Sequence, residues 1–192
     1  MQWIEWLAAI AGAVSVYLSA REKIWSWPTA LVNVSLYTYI FYRSGLYSDM
    51  GLQVVYFGLS LYGWHQWLYG GARHTRLHVS RASRRVWITV AAVGIAFWFA
   101  LSTYTSTLSG VSLPWLDAGL TTTSLVAQWM MTRKILENWV LWIIADIVYV
   151  PMFIYKNLYV TAGLYAVFLG LALMGFVNWR SSWRSDREVA AA

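Results

Sequence analysis

The sequence predicts an all-α integral membrane protein of seven transmembrane helices in a 3+1+3 arrangement, and three observations predict it. Apolar residues make up 59% of the 192 residues and charged ones only 11%, against about 25% charged in an ordinary soluble domain. Seven apolar segments reach or approach the length of about 20 residues that carries a helix across a bilayer. The chain also repeats itself: residues 3–67 fall without a gap on residues 115–179, at an offset of 112, with 16 identities in 65 positions and 10 of them in the last 22. Two apolar units joined by one more apolar stretch is a common transporter plan.

The first span is expected at Trp3–Ala20. Glu5 stands where a secretory signal would be basic, and the repeat reuses the segment, so it reads as a structural helix. The second, Pro28–Tyr42, carries Asn33 and Tyr37, four apart. The third, Tyr47–Leu68, carries Gln53, Tyr56, Ser60, Trp64 and Trp67 near one face. The fourth, Val86–Tyr104, is the least polar and has no counterpart in the repeat. It suits a lipid-facing linker that restores the chain direction, so that the two three-helix copies run parallel about an axis along the membrane normal. The fifth, Trp115–Met131, aligns Thr121, Ser124 and Gln128 with Thr132 just past its end. The sixth, Trp139–Tyr155, aligns Trp139, Trp142, Asp146 and Tyr149, and Pro151 in its middle frees the Ile147 carbonyl. The seventh is Tyr159–Trp179. The units are therefore a first bundle at 1–69, a polar loop and linker helix at 70–114, a second bundle at 115–180 and a tail at 181–192.

Helical spacing puts each polar set on one stripe. Polar groups in hydrocarbon need protein or water partners, so several stripes in one small bundle imply a shared polar interior. Amides there match sugar hydroxyls or a carboxamide, and Trp and Tyr faces stack on flat rings and attract cations. Asp146 is the only carboxylate well inside a span; Asp49 and Asp117 sit near ends. Structural roles compete for the same residues. Asn33, Gln53, Gln128 and Asp146 would also serve as ties between helices, and Gly51, Gly58, Gly163 and Gly170 read as close-packing contacts of helices three and seven. Trp3, Trp6, Trp25, Trp115, Trp179 and Trp183, all near span ends, read as interface anchors.

Enzyme chemistry is disfavoured, because the spans hold no nucleophile with a paired base and no paired carboxylates. His74 and His78 are four apart in the polar loop without a third ligand. With no cysteine in the chain, no metal or other cofactor is expected. The loops on one side hold twelve Lys and Arg residues (21, 23, 73, 76, 81, 84, 85, 133, 134, 180, 184 and 187), and the other side only Arg43 and Lys156. That bias predicts an outside N-terminus and a cytoplasmic C-terminus. The net charge of +6 then reflects topology and lipid headgroups rather than nucleic-acid binding.

Specific motifs carry a resemblance. The first half has Trp27-Pro28, Asn33, Leu36-Tyr37, Leu46-Tyr47-Ser48-Asp49, Leu52-Gln53, Tyr56 and Tyr62-Gly63-Trp64-His65-Gln66-Trp67. The second has Thr122-Thr123, Ser124-Leu125, Ala127-Gln128, Arg133-Lys134, Glu137-Asn138-Trp139, Trp142, Asp146, Tyr155-Lys156, Leu158-Tyr159, Thr161-Ala162 and Leu164-Tyr165. Over nearly the whole chain these resemble the PnuC family of vitamin transporters; Ala30, where a glycine is usual, and Ser48, where alanine is commoner, depart from it. The resemblance implies a fold like a full-length SWEET sugar transporter. It implies import of nicotinamide riboside across the bacterial cytoplasmic membrane by facilitated diffusion, with a cytosolic nucleoside kinase trapping the product. It implies a substrate site between the bundles in which Trp139 and Trp142 flank the nicotinamide ring, with Gln53, Trp64, Gln128 and Asn138 as polar and stacking partners. Relatives carry thiamine or riboflavin on the same scaffold, so thiamine or another flat vitamin stays open. So do proton coupling through Asp146 and assembly into a homo-oligomer. Substrate information is expected where the copies disagree: Gln53 against Tyr165, Gln128 against Val16, Trp142 against Ala30 and Asp146 against Val34.

Overall fold

A computed structural model describes residues 2–107, 113–155 and 157–191. Lys156, counted above on the sparse side of the charge bias, lies outside the described residues. Seven helices form where the apolar runs place them: α1 (Gln2–Ala20), α2 (Ser26–Arg43), α3 (Tyr47–Tyr69), α4 (Arg84–Ser106), α5 (Pro114–Thr132), α6 (Asn138–Tyr155) and α7 (Tyr159–Ala191). Their ends follow local chemistry. The Ser83 hydroxyl caps α4 by accepting from the Val86 N–H, and Pro114 opens α5, where its missing N–H costs nothing. The turn after α2 needs a left-handed residue and uses Gly45 at φ 72°; the turn after α6 uses Asn157 at φ 59°, the non-glycine type that tolerates this region best.

One boundary differs. The helix that holds span seven does not stop near Trp179; α7 runs on to Ala191, so residues beyond the apolar run stay helical. No Gly or Pro interrupts residues 180–191, so nothing ends the helix there. Pro151 sits inside α6 without ending it.

Composition alone makes only four stretches apolar enough to cross a membrane among the described residues: Trp3–Ala20, Arg84–Ser106, Asn138–Tyr155 and Thr161–Val189. α2, α3 and α5 are long enough, at 18, 23 and 19 residues. They fall short because they carry Asn33, Gln53, Ser60, Thr121 and Gln128, which dilute the apolar run.

The packing explains where those polar residues go. α1 packs on α2, α2 on α3, α3 on α5, α5 on α6, α6 on α7 and α7 back on α1, closing a ring of six helices. α4 lies outside the ring against α5. Gly94 lets it approach Thr122 and Val126, and the Trp98 indole donates to the Trp115 carbonyl at 2.9 Å. Its other face exposes Ile88, Val93, Ile95 and Phe99, as an apolar linker helix in lipid should.

Contacts recur at the 112-residue offset. The Trp67 indole donates to the Met131 carbonyl at 3.0 Å, and the Trp179 indole to the Ser19 carbonyl at 2.9 Å. Residues exactly one offset apart also touch each other: the Trp67 and Trp179 rings lie 5.7 Å apart, and Lys134 donates to Glu22 at 2.7 Å. Trp179 is therefore not an interface anchor. It is fully buried, because its ring is the counterpart and the neighbour of Trp67. Trp3, Trp6, Trp25 and Trp115 are exposed.

The glycine expectation is corrected as well. A Cβ on Gly51, Gly58, Gly163 or Gly170 would meet nothing within 4 Å, so these positions are not packing contacts. Close approaches to an indole occur instead at Gly63, which bears Trp27, and Gly175, which bears Trp139. A Cβ on Gly175 would lie 2.5 Å from Trp139 Cε2. Gly175→Ala is thus expected to cost about 1–3 kcal/mol through overpacking. Gly163→Ala should be neutral or slightly stabilising, since it meets open space and favours the helix. Thermal unfolding of the two variants in detergent checks the contrast.

Candidate functional site

The ring encloses a cavity of about 520 Å³, lined from α1, α2, α3, α5, α6 and α7 and not from α4. That volume lies within the range of about 300–1,000 Å³ usual for small-molecule sites. Nine of the eleven expected site residues line it: Asn33 and Tyr37 on α2, Gln53 and Tyr56 on α3, Gln128 on α5, and Trp139, Trp142, Asp146 and Tyr149 on α6. Helical spacing brings them together because each stripe faces the ring interior.

Trp64 and Asn138 lie outside the lining. Trp64 is half-buried against the tryptophan cluster that closes one end of the cavity. Asn138 is fully buried at the start of α6, and its Nδ2 donates to the Ile135 carbonyl at 2.7 Å, which holds the tight turn from α5. Asn33 lines the cavity but also ties helices, donating from Nδ2 to the Ala8 carbonyl at 2.7 Å. Ser60 and Thr132 satisfy themselves on their own helices, donating to the Tyr56 and Trp129 carbonyls.

The cavity also uses residues that stripe reading missed. Tyr165 and Phe168 of α7 line it, and they are the repeat counterparts of Gln53 and Tyr56. The offset already marks Tyr165 as the mismatch to Gln53, and the same signal could have found Phe168. All eight residues of the four mismatched pairs line the cavity, with Gln128 opposite in type to Val16, and Trp142 to Ala30. Tyr165 packs 4.7 Å from Tyr149 and 4.9 Å from Phe153, giving one end an aromatic wall.

The other end is sealed. Trp27, Trp67, Trp179 and Trp139 form a continuous chain of indoles with centroid spacings of 5.3, 5.7 and 5.5 Å, each ring at most 2% exposed. Beyond them lies the Glu22–Lys134 pair. The Lys134 ammonium sits 4.6 Å over the Trp67 ring. Burial pushes it below the ordinary lysine value, and the Glu22 carboxylate pulls it part of the way back. The basic loop docks across this end rather than floating free. Arg76 donates to the Glu22 carbonyl at 3.0 Å, Ser80 N to Lys134 O at 3.0 Å, and Leu136 N to Ser80 O at 2.9 Å. Arg81 and the Ala82 N–H both bind the Glu137 carboxylate, at 2.8 and 2.9 Å. His78 lies 3.0 Å from Asp186 of α7, so it is a hydrogen-bond partner of that carboxylate. Among the described residues no cluster of three metal-ligating side chains occurs.

Five buried polar atoms have no partner in the protein among the described residues: Ser26 Oγ, Trp27 Nε1, Asn138 Oδ1, Trp139 Nε1 and Trp142 Nε1. Ser26 with Asn138 and Trp27 with Trp139 are again one offset apart. Unpaired buried groups of this kind cost about 1–3 kcal/mol each, and they concentrate at the first turns of α2 and α6.

A closed ring of helices with lipid-compatible outer faces, around an aromatic and amide-lined cavity, defines a helical membrane transporter. A family model described as nicotinamide mononucleotide transporter matches residues 2–181, and the chain belongs to that family. It is 29% identical to the nicotinamide riboside transporter PnuC of Escherichia coli K12, covering 96% of this chain and 87% of that protein. It is 31% identical to the riboflavin/roseoflavin transporter RibM of Streptomyces davaonensis, with the same coverage. Among solved structures it resembles the crystal structure of the vitamin B3 transporter PnuC, with a TM-score of 0.74 and 26% identity over 95% of this chain and 83% of that one.

Proposed function

We propose that the chain imports nicotinamide riboside by facilitated diffusion across the bacterial cytoplasmic membrane. The observation that carries this reading is the composition of the cavity: Trp139 and Trp142 with Gln53 and Gln128, inside one 520 Å³ space. The ligand is a flat cationic ring bearing a carboxamide and a ribose. Indole faces suit the ring, and the two amides offer donors and acceptors for the carboxamide and sugar. The unpaired Trp142 N–H is a further donor for a ligand oxygen.

The frame is two parallel three-helix copies joined by α4, in units 1–69, 70–114, 115–180 and 181–192; the reciprocal contacts at the 112-residue offset support it. The basic end faces the cytoplasm, with the N-terminus outside. Alternating access then consists of opening the indole layer and the Glu22–Lys134 pair toward that side after the opposite end has closed. Unpaired polar atoms at the first turns of α2 and α6 support this, because burial without partners costs free energy that favours rearrangement there. A cytosolic kinase that phosphorylates the entering nucleoside makes uptake one-way without an ion gradient. The riboflavin-transporting relative at 31% identity favours a second reading, another flat vitamin on the same frame, thiamine included.

Two measurements test the proposal. Calorimetry on purified protein with nicotinamide riboside, thiamine and riboflavin should show the first binding tightest. Proteoliposomes should equilibrate nicotinamide riboside, returned intact, to the outside concentration and no further. Accumulation above equilibrium driven by an imposed pH gradient would replace facilitated diffusion by proton coupling.

A further inference from the structure

Asp146 is the one carboxyl group that lines the cavity. Of the residues that line it, none other is Asp, Glu, Lys, Arg or His. Its side chain is buried, at 4% exposure for the residue. Among the described residues, Asp146 belongs to neither of the ion pairs Arg81–Glu137 and Lys134–Glu22, nor to the His78–Asp186 contact. The chain's twelve-fold basic end is separated from it by the indole layer.

A carboxylate in such a place is costly unless something positive neutralises it. The cavity wall supplies no cation, so the empty site favours the neutral carboxylic acid, and a ligand cation is the positive partner that favours its carboxylate. The placement is also one-sided. The counterpart of Asp146 in the first copy is Val34, which lines the opposite wall. On α6, Asp146 stands one turn beyond Trp142 and one turn before Tyr149, all three lining the cavity. Negative charge and aromatic faces therefore share one stripe, and both favour a positive ring over a neutral one. A purely structural tie would instead point the carboxyl at a donor on a neighbouring helix.

We infer that Asp146 is a specificity-determining residue: its carboxylate is the counter-charge that makes the cavity prefer a flat cationic heteroaromatic ligand to a neutral one of the same shape. The inference rests on the transport reading above and adds the chemical basis on which that site discriminates.

The probes are nicotinamide riboside and its neutral 1,4-dihydro form, which share carboxamide, ribose and outline. Binding is measured on the purified full chain by calorimetry. Wild type is expected to prefer the cation by at least about tenfold. Asp146→Asn keeps the shape and removes the charge. It should bring the preference to within about twofold by weakening the cation alone, with the dihydro form changed by less than about twofold. Asp146→Glu should keep a preference for the cation. An Asn variant that retains the wild-type preference, or a wild type that binds both forms alike, overturns the inference and leaves nicotinamide riboside transport standing. Absence of binding to either form by folded wild type overturns both. Where Asp146→Asn fails to fold, the wild-type preference together with Asp146→Glu decides: loss of preference in either sinks the idea.

Discussion

Replacing Trp142 by alanine is expected to weaken nicotinamide riboside binding by more than about tenfold, on the scale of a caged cation losing one aromatic face, while the fold survives. Trp142 is half-buried, lines the cavity and contributes an indole N–H that no acceptor among the described residues uses. Trp139→Ala removes a ring from the same stripe but is a different experiment. Trp139 is 1% exposed, stands edge-on to Trp179 at 5.5 Å and rests on Gly175. Truncating it opens a hole in the layer that seals the cavity, at a cost of about 3–5 kcal/mol. Lost binding in Trp139→Ala would therefore mix two causes, which thermal unfolding in detergent separates. Calorimetry on Trp142→Ala does not have that ambiguity. Unchanged affinity there would remove Trp142 from the binding site.

Most of the fold was legible because its determinants are local. Apolar run length places the helices, and stripe spacing tells which face of α2, α3, α5 and α6 turns inward. α7 escaped this logic in its second half, since the end of the apolar run at Trp179 says nothing about whether the backbone stays helical. The glycine and Trp179 readings failed for a related reason. Residue type and depth cannot distinguish a glycine facing open space, such as Gly163, from one under an indole, such as Gly175. Partners such as Met131 for Trp67 and Ser19 for Trp179 are 64 and 160 residues away in sequence. Within the candidate site, charged and amide residues were legible because they are rare in spans. Tyr165 was legible only through the repeat, as the mismatch to Gln53, and Phe168 not at all, because aromatic residues in a membrane helix are common. Asn138 came from the family resemblance rather than from any stripe, and the structure places it in the α5–α6 turn.

The pair at the sealed end gives the second large effect, and it is unequal between the partners. The Lys134 side chain is 2% exposed and the Glu22 side chain 21%. Lys134→Met leaves Glu22 able to reach water, so its cost is modest, about 1 kcal/mol. Glu22→Gln strands a buried ammonium over the Trp67 ring and is expected to cost about 3–5 kcal/mol. The double variant should be no worse than Lys134→Met alone, since the stranded charge is gone. The sign of the pH dependence follows from the same asymmetry. Burial holds the folded-state Lys134 below the ordinary lysine value, and Glu22 is the main group opposing that shift. In Glu22→Gln the native state sheds its proton at lower pH than the unfolded chain, which binds more protons between the two values. Stability of that variant therefore rises with pH through this window, after being fully penalised below the folded value. Wild type should show a smaller rise, because Glu22 keeps the proton on Lys134. Unfolding temperatures of Glu22→Gln and Lys134→Met, measured in one detergent from neutral to alkaline pH, check the order and the slope. Equal costs for the two single variants would mean that water reaches Lys134, and that the end of the cavity beneath Trp67 is not sealed.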